Sequence, residues 1–591
     1  MPPSASPSCS SCPTACSSAR PPYSAARPRW SRSFDTCNRL AAAKCCLRAL
    51  ILAGLLGGGA LAALAEDPLP AGGEPLPSDA ELEAAGARIG TIVIQTREIF
   101  DLSDPKQNNW LFRAADRLHV RTRESAVRAQ LLFRSGDPYS RHLLDETARN
   151  LRQNATFMRE PEIMPVRYHD GLVDILVVTH DVWTLQPGID YGRSGGTNTV
   201  SADVTDDNFL GYGKYIELGH GRNVDRSSTY AQWADPNVWG SRWQDSLLYE
   251  DNSDGRVWNV AANYPFYSLE TRYDGGGTTG DSRSVVTRYD LGNPFDAYRF
   301  DWRVTDVYLG RALRIDESWT ERLLLGFRHD QSQFSSAPSQ TLRAPLPADR
   351  DLAYPYVRMQ WLQNHYSTTR NLELLAFTED VHLGLDAGAG LGWAAPAFGA
   401  DRRAVLADAE IGYNWRFGPG HYLFLYGRLY SRFEYGRADD GMVSGNASYF
   451  LTTSARSKLL VHVFADAGHN LDADHYLEIG GDTGLRGYPL RYQNGAGRAQ
   501  FTIEERLYTD WFLFQLVHVG GAAFLDVGRT WGASPLPAPQ LGTLEDAGVG
   551  LRLGNARSSF GSVIHIDLAT PLAANHSINR LQILVSTQQT F

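Results

Sequence analysis

The most constraining feature of the chain is a two-residue alternation of apolar and polar side chains, which runs from about Gly192 to the carboxy-terminal Phe591. In the segment 421–436, Leu423, Leu425, Gly427, Leu429 and Phe433 fall on one face, and Tyr426, Arg428, Tyr430, Arg432 and Glu434 fall on the other. A period of two indicates β-strands. Charged residues that alternate with lipid-compatible ones are typical of a barrel wall around a polar lumen.

This pattern predicts an all-β transmembrane antiparallel barrel over residues 191–591, with about 16 strands if each strand and its connection take about 25 residues. The mean hydropathy of −0.31 excludes a helical membrane bundle. A soluble β-sandwich or propeller is the alternative, but it would need neither an export signal nor an aromatic carboxy-terminus. We interpret the terminal Phe591 as part of an assembly signal.

The amino-terminal 65 residues have the composition of an extension followed by a signal peptide. Lys44 and Arg48 precede the apolar run Leu50–Leu64, and small residues at 63 and 65 precede Glu66. This order favours a cleaved signal over a short membrane anchor. All six cysteines lie at or before position 46, and the CxxC of Cys9 and Cys12 has no second pair at zinc-ligand spacing. We therefore predict no zinc or redox site there.

Two further segments separate the signal from the barrel. Residues 66–88 are rich in Pro, Gly, Ala and acid, and this composition predicts a flexible tether. Residues 89–188 predict a small α+β domain with the order strand, helix, helix, strand, strand. Its most regular strand is 172–183, where Val173, Ile175 and Val177 share one face.

Charge and motifs exclude several classes of function. Removing residues 1–65, with their seven Lys and Arg and one acid, changes the net charge from −10 to −16, which argues against a nucleic-acid partner. The chain has no GxSxG, HExxH, P-loop or EF-hand pattern, so we predict no enzyme activity and no cofactor. Asp472, Asp474 and His475 form an acidic cluster that could hold a metal, but a solvated outer loop explains it better.

The segment Gly480–Pro489, GGDTGLRGYP, carries the clearest mechanistic signal. It places Arg486 between glycines, before an aromatic residue and a proline, on a non-strand excursion between two barrel strands. An arginine inside a polar lumen requires a carboxylate partner. The inward-facing candidates on the following strands are Asp526 and, less directly, Glu504.

Leu485, Arg486, Gly487 and Tyr488 resemble the [VI]RG[FY] loop signature of the POTRA-bearing outer-membrane assembly superfamily, which includes BamA/TamA-like proteins, bacterial surface antigens and two-partner secretion transporters. The segments FLDVGRTWG and DAGVGLRLG and the aromatic end follow in a similar order and spacing. Residues 206–219 look like that family's first barrel strand, and residues 122–186 look like a single POTRA domain. Leu485 departs from the usual Val or Ile.

The resemblance implies a periplasmic POTRA domain and an outer-membrane barrel that inserts or translocates polypeptides. It implies that Arg486 pairs with Asp526 and Glu504 inside the lumen. The expected partners are outer-membrane lipid, unfolded outer-membrane or secreted polypeptides, and periplasmic chaperones or accessory subunits. Two alternatives stay open: a two-partner-type pore for one dedicated client, and a passive channel or surface antigen.

Overall fold

The computed structural model describes residues 76–588, apart from 106, 317, 339–340, 371, 373–377, 515, 538, 540, 556–562 and 573–577. The predicted signal segment, most of the predicted tether and the terminal Phe591 lie outside the described residues. Within the part of the chain that is described, no helix is both long enough and apolar enough to cross a membrane.

The amino-terminal unit is a small α+β domain built on a three-stranded sheet. Its elements are α1 (Asp79–Ala84), β1 (Arg88–Arg97), α2 (Trp110–Leu118), α3 (Glu124–Gln130), α4 (Arg141–Asn154), β2 (Met158–His169) and β3 (Leu172–Asp181). The strand order is β1-β3-β2, with β1 parallel and β2 antiparallel to the central β3. This is the expected order of elements, with α2 as an additional helix before α3.

The core of this domain lies between the sheet and the helices. Val173, Ile175 and Val177 of β3 are fully buried and pack with Val127 of α3 and Leu144 of α4. These three β3 residues share one face, as the alternation predicts. A shift of β3 by one residue relative to its neighbours would move all three of these apolar side chains to the opposite face of the sheet, so the register is strongly specified.

The end of the predicted tether belongs to this domain. Ser78 caps α1 through a reciprocal arrangement with Glu81, and Leu82 of α1 packs into the core. Two of the acidic residues that suggested a flexible linker, Asp79 and Glu81, therefore lie in the first turn of a capped helix, where negative charge stabilises the helix amino-terminus.

The remaining strands build the barrel and one short internal ribbon. They are β4 (Leu185–Ser194), β5 (Thr197–Asp206), β6 (Tyr215–Arg222), β7 (Ser227–Asp235), β8 (Gln244–Asn252), β9 (Gly255–Tyr264), β10 (Tyr273–Asp290), β11 (Asn293–Ile315), β12 (Trp319–Ser336), β13 (Arg350–Gln363), β14 (His365–Arg370), β15 (Thr378–Ala394), β16 (Ala404–Gly418), β17 (His421–Glu434), β18 (Arg437–Ser454), β19 (Ser457–His469), β20 (Leu477–Ile479), β21 (Gln493–Gly495), β22 (Gly497–Leu513), β23 (Val517–Trp531), β24 (Leu544–Asn555), β25 (Val563–Pro571) and β26 (Gln582–Gln588).

The barrel is closed and antiparallel, and the described residues form 20 strands rather than the predicted 16. β13 and β14 are one strand interrupted at Asn364, since both pair with β15, and β20 and β21 form a separate ribbon. The prediction was wrong because it assigned too much chain to loops. Several hairpins turn within two residues of positive φ, such as Leu291–Gly292 and Tyr435–Gly436.

The start of the barrel also differs from the prediction. The first barrel strand is β4, which begins at Leu185 rather than 191, and residues 206–219 form the turn after β5 and the start of β6. Pro187 and Gly188 lie within β4, and in the sequence this pair of residues is typical of a turn. Proline is tolerated there because β4 is a terminal strand of the barrel, where few backbone donors on one edge are needed.

The alternation of the wall is confirmed. On β17, Leu429 and Phe433 are 45% and 48% exposed, whereas Arg432 and Glu434 are buried. On β24, Val549 is exposed and Arg552 is fully buried. The outward face is therefore apolar and the inward face carries the charges, as a barrel in lipid requires.

The barrel closes between its first and last strands through a short seam. Among the described residues, a single pair, Val585 and Arg193, is in register between β26 and β4. By contrast, β25 and β26 pair continuously from Val563–Gln588 to Ala569–Gln582. In the described part of the chain, this junction therefore has fewer registered pairs than any other junction between barrel strands.

Candidate functional site

The connection between β19 and β22, residues 470–496, folds inward instead of standing above the barrel. Its ribbon, β20 with β21, leads into and out of the LRGY segment. Leu485 and Tyr488 are buried there in an apolar cluster with Ile479, Tyr492 and Leu544. This cluster gives the loop a core of its own, so that the polar residues between the apolar ones are held in fixed positions.

Arg486 is the centre of the site. Its Nε and Nη2 donate to the two carboxylate oxygens of Asp526 at 2.7 and 3.0 Å, and its Nη1 donates to Glu504 at 2.7 Å. Its guanidinium carbon lies 3.2 Å from the ring centroid of Phe524. Both carboxylates that the sequence indicated are therefore brought onto this arginine, and the bidentate geometry fixes its orientation.

The ion-pair network extends further than the sequence suggested. Glu504 also accepts from Arg506 at 3.0 Å and from Arg552 at 3.4 Å. Asp567 pairs with Arg552 and lies 3.6 Å from Nη1 of Arg486. Three arginines and three carboxylates thus share one enclosed cluster on β22–β25 and the loop, which compensates the cost of removing each charge from water.

Sequence reasoning missed Asp567 and Arg506 as members of this cluster. Asp567 lies opposite Gly550 across β24 and β25, two positions from the Arg552–His565 pair. The alternation along each strand places these positions on the lumen face. It identifies a partner, however, only once the register of each hairpin is known.

Gly487 and Tyr488 fix the loop against β24 and β25. A Cβ at position 487 would lie 2.5 Å from Cβ of Asp546 and 3.0 Å from the backbone nitrogen of Pro571, so the close approach requires glycine. The hydroxyl of Tyr488 donates to the carbonyl of Glu545 and accepts from its N–H, each at 3.2 Å. The four residues of the motif therefore have distinct roles: packing, charge, close approach and backbone anchoring.

The same loop also contacts the first barrel hairpin, on the other side of the seam. The hydroxyl of Ser194 donates to the carbonyl of Gly481 at 2.7 Å. A Cβ on Gly195, which has φ +52°, would lie 2.1 Å from the backbone nitrogen of Leu490. The loop is thus attached both to the strands before the seam and to the hairpin after it.

The outer part of the loop is buried, which corrects the expectation of a solvated loop at Asp472, Asp474 and His475. Arg350 pairs bidentately with Asp474 at 2.9 and 2.6 Å. Nδ1 of His475 lies 2.6 Å from a carboxylate oxygen of Asp440. Burial alone would lower the pKa of His475, but the carboxylates of Asp474 and Asp440 outweigh it and raise that pKa.

Helix α4 of the α+β domain contacts the barrel at the end where β4 and β15 start. Arg152 pairs bidentately with Asp380 at the start of β15, with both distances 2.7 Å. Asn150 donates to the carbonyl of Tyr267, and the N–H of Leu269 donates to Glu146. The domain is therefore docked through specific polar contacts with the barrel end from which β4 starts.

A second contact joins this domain to the turn between β5 and β6. The side chain of Asn208 donates to the hydroxyl of Thr122 at 2.8 Å, and the N–H of Arg123 donates to the carbonyl of Gly211 at 2.9 Å. The guanidinium of Arg123 lies over the ring of Tyr212. Residues 206–219, which resemble the family's first barrel strand in sequence, therefore supply a turn that contacts the α+β domain.

Comparisons with known proteins give fold-level likenesses only. No family model matches the chain, and no curated protein matches it. Among solved structures, CdiB from Acinetobacter baumannii is 13% identical, with 85% of this chain and 73% of that chain covered and a TM-score of 0.44. CdiB from Escherichia coli is 14% identical, with 85% and 76% covered and a TM-score of 0.43. BamA from Haemophilus ducreyi lacking POTRA domains 1–3 is 14% identical, with 84% and 85% covered and a TM-score of 0.33. The site is therefore interpreted from its own geometry.

Proposed function

We propose that this chain is an outer-membrane member of the POTRA-bearing assembly superfamily, and that it inserts polypeptides into the outer membrane by opening the seam between β4 and β26. The observation that carries the proposal is the LRGY loop, which Arg486 fixes to the strands before the seam and which also contacts the hairpin after it. No nucleotide and no metal is needed for this activity.

The location follows from the wall of the barrel. Its outward face is apolar, and a closed barrel leaves no unpaired backbone edge in lipid. In a bacterium such a barrel belongs to the outer membrane. Lipid is therefore one partner, and the α+β domain lies on the periplasmic side in this proposal.

The seam gives the proposal its mechanism. An unfolded outer-membrane protein carries backbone groups that lipid cannot satisfy. If Val585 and Arg193 separate, β4 and β26 become open edges on which a client can add strands by β-augmentation. Because one registered pair joins β4 and β26 among the described residues, separating them would require less free energy than separating β25 from β26, which pair from Val563–Gln588 to Ala569–Gln582.

The α+β domain would act as the POTRA domain that receives the client. In the order β1-β3-β2, both β1 and β2 are edge strands, and an edge can pair with an extended polypeptide. Periplasmic chaperones or accessory subunits would deliver the client to this domain. Its docking near the start of β4 would place a captured segment at the barrel end where the first strand begins.

A second candidate function is secretion of one dedicated polypeptide through the lumen. The inward charges and the loop inside the barrel are compatible with this alternative, which would leave the seam shut. A passive channel would use neither the seam nor the loop. The three functions therefore differ in what happens when the seam is locked.

The test is a disulfide across the seam. Residues 66–591 contain no cysteine, so Arg193→Cys with Val585→Cys introduces one unique pair. Antiparallel partners have Cα separations that a disulfide tolerates. The matched control is Leu568→Cys with Ile583→Cys, a registered pair that joins β25 to the seam strand β26 without crossing the seam.

We expect the seam lock to reduce the amount of several outer-membrane proteins in cells that have no other copy, with recovery after reduction, and the control pair to have no effect. If depletion of this protein lowers the amount of one exported protein only, and the locked variant restores that protein as well as the wild type does, the dedicated pore is supported. Unchanged protein levels on depletion, together with ion conductance in planar bilayers, would support a passive channel.

A further inference from the structure

A cluster of one histidine and two glutamates lies where helix α4 meets the barrel. His142 and Glu146 are one helical turn apart on α4, and Glu270 lies on the connection between β9 and β10. Nε2 of His142 is 3.7 Å from Oε2 of Glu146 and 3.9 Å from Oε1 of Glu270. One ligand atom from each of the three side chains therefore points to a common position between the two units.

Glu146 provides an independent indication of a ligand. Its side chain is completely buried, and its Oε2, which faces the cluster, has no hydrogen-bond partner. Its other oxygen is used, because Oε1 accepts from the N–H of Leu269 at 2.7 Å and lies 3.2 Å from Nη2 of Arg149. A buried carboxylate oxygen without a partner is unfavourable unless a cation or a donor occupies the adjacent space.

We propose that His142, Glu146 and Glu270 bind one divalent transition-metal ion of the zinc class, which links α4 to the β9–β10 connection. An imidazole nitrogen with carboxylate oxygens suits zinc better than magnesium or calcium, which prefer oxygen ligands alone. Ligand atoms around tetrahedral zinc are separated by about 3.4 Å, and the three ligand atoms here lie within 4.8 Å of one another, so the exposed side chains of His142 and Glu270 close the site by small inward movements. Water completes the coordination on the exposed side of His142 and Glu270.

The site spans two units that are far apart in the chain, so the metal would strengthen the docking of the α+β domain. It would add to the Arg152–Asp380 pair on the same helix. This inference does not depend on polypeptide insertion, because it concerns only a bound ion and the contact that the ion bridges. An ordinary ion pair between protonated His142 and the glutamates is the competing explanation.

The experiment uses residues 66–591, the predicted mature chain, which contains no cysteine to bind the metal; the protein is purified in detergent, stripped with a chelator and titrated with Zn²⁺ by calorimetry, with Co²⁺ as a spectroscopic probe. The variants are His142→Ala and Glu270→Gln, whose side chains are more than half exposed and should not impair folding. The control is His169→Ala, because His169 also lies beside carboxylates, but one of them, Asp174, is already bound to Arg167 and to the N–H of Thr91.

We expect one equivalent of Zn²⁺ per chain, a tetrahedral Co²⁺ spectrum, and a loss of affinity of at least about tenfold in each variant but not in the control. Zn²⁺ should also slow hydrogen exchange in α4 in the wild type and not in Glu270→Gln. Absence of Zn²⁺ binding, or equal binding in His142→Ala, would overturn the proposal and leave the cluster an ordinary ion pair.

Discussion

Replacing Arg486 by alanine tests whether the loop is held in the barrel by charge. The side chain makes three hydrogen bonds to two carboxylates and is itself mostly buried. After the replacement, Glu504 still has Arg506 and Arg552, so the loss falls mainly on Asp526, which is fully buried and keeps the hydroxyl of Thr502 and the carboxyl group of Asp546 but no cationic partner. An uncompensated buried charge of this kind costs about 3–5 kcal/mol.

The size of the effect should depend on which partner is removed. Asp526→Asn leaves Arg486 paired with Glu504, so we expect a smaller loss, about 1.5–3 kcal/mol. The double variant should lose less than the sum of the two single variants, with a coupling of about 1–3 kcal/mol. Arg486→Lys should recover only part of the stability, since an ammonium group cannot reproduce the bidentate fork.

The assay is urea unfolding in detergent, followed by tryptophan fluorescence and by the mobility of the heat-resistant folded form. Arg456→Ala is the control, because Arg456 pairs with Asp510 in an exposed position where we expect little effect. Additive effects of Arg486→Ala and Asp526→Asn would refute the reasoning. A coupled loss of stability with normal client insertion would make the pair purely structural.

Three further predictions concern the motif glycine, the docking contact and one carboxyl group of the α+β domain. Gly487→Ala should destabilise the closed loop by about 1–3 kcal/mol in the same assay, because its Cβ would overlap with Asp546. Asp380→Asn should weaken docking by about 1.5–3 kcal/mol, seen as faster hydrogen exchange in α4 while the barrel strands are unchanged. Burial, with a smaller contribution from Glu98, raises the pKa of Asp116 to about 6. Since that pKa exceeds the unfolded value of about 3.9, stability is lost as the pH rises between about 4 and 6, and Asp116→Asn should abolish this loss.

The alternation of the wall and the pairing of the loop arginine could be predicted because both depend on local patterns. A period of two is visible within ten residues, and it assigned Arg432 and Glu434 to the lumen correctly. The LRGY segment contains an arginine that needs a carboxylate partner. The alternation along the next two strands places few carboxylates on the lumen face. Glu504 and Asp526 were therefore found without knowledge of the register.

The number of strands and the contacts of the outer loop could not be predicted, because they depend on long-range geometry. Strand number follows from how much chain each turn uses, and hairpins such as Tyr435–Gly436 use the minimum. Arg491 pairs with Asp225, a residue 266 positions away in the sequence. No local pattern selects that partner among the many acidic residues, and the same holds for the docking of α4 on β15.

The geometry of the loop bears on the proposal that this barrel opens at the seam. Among the described residues, every other junction between barrel strands has at least six registered pairs, and separating one would leave many unsatisfied backbone groups in lipid. At the seam, Val585 and Arg193 are the one registered pair among the residues that the structure describes, and the loop joins the last strands through Arg486 and the first hairpin through Ser194. In the function that we propose, the loop would therefore contribute to closure through side chains inside the lumen, where a displaced polar group can still be hydrated. The loop can then release β4 by breaking its few contacts with the first hairpin, while its ion pairs with Glu504 and Asp526 keep it attached to the other side.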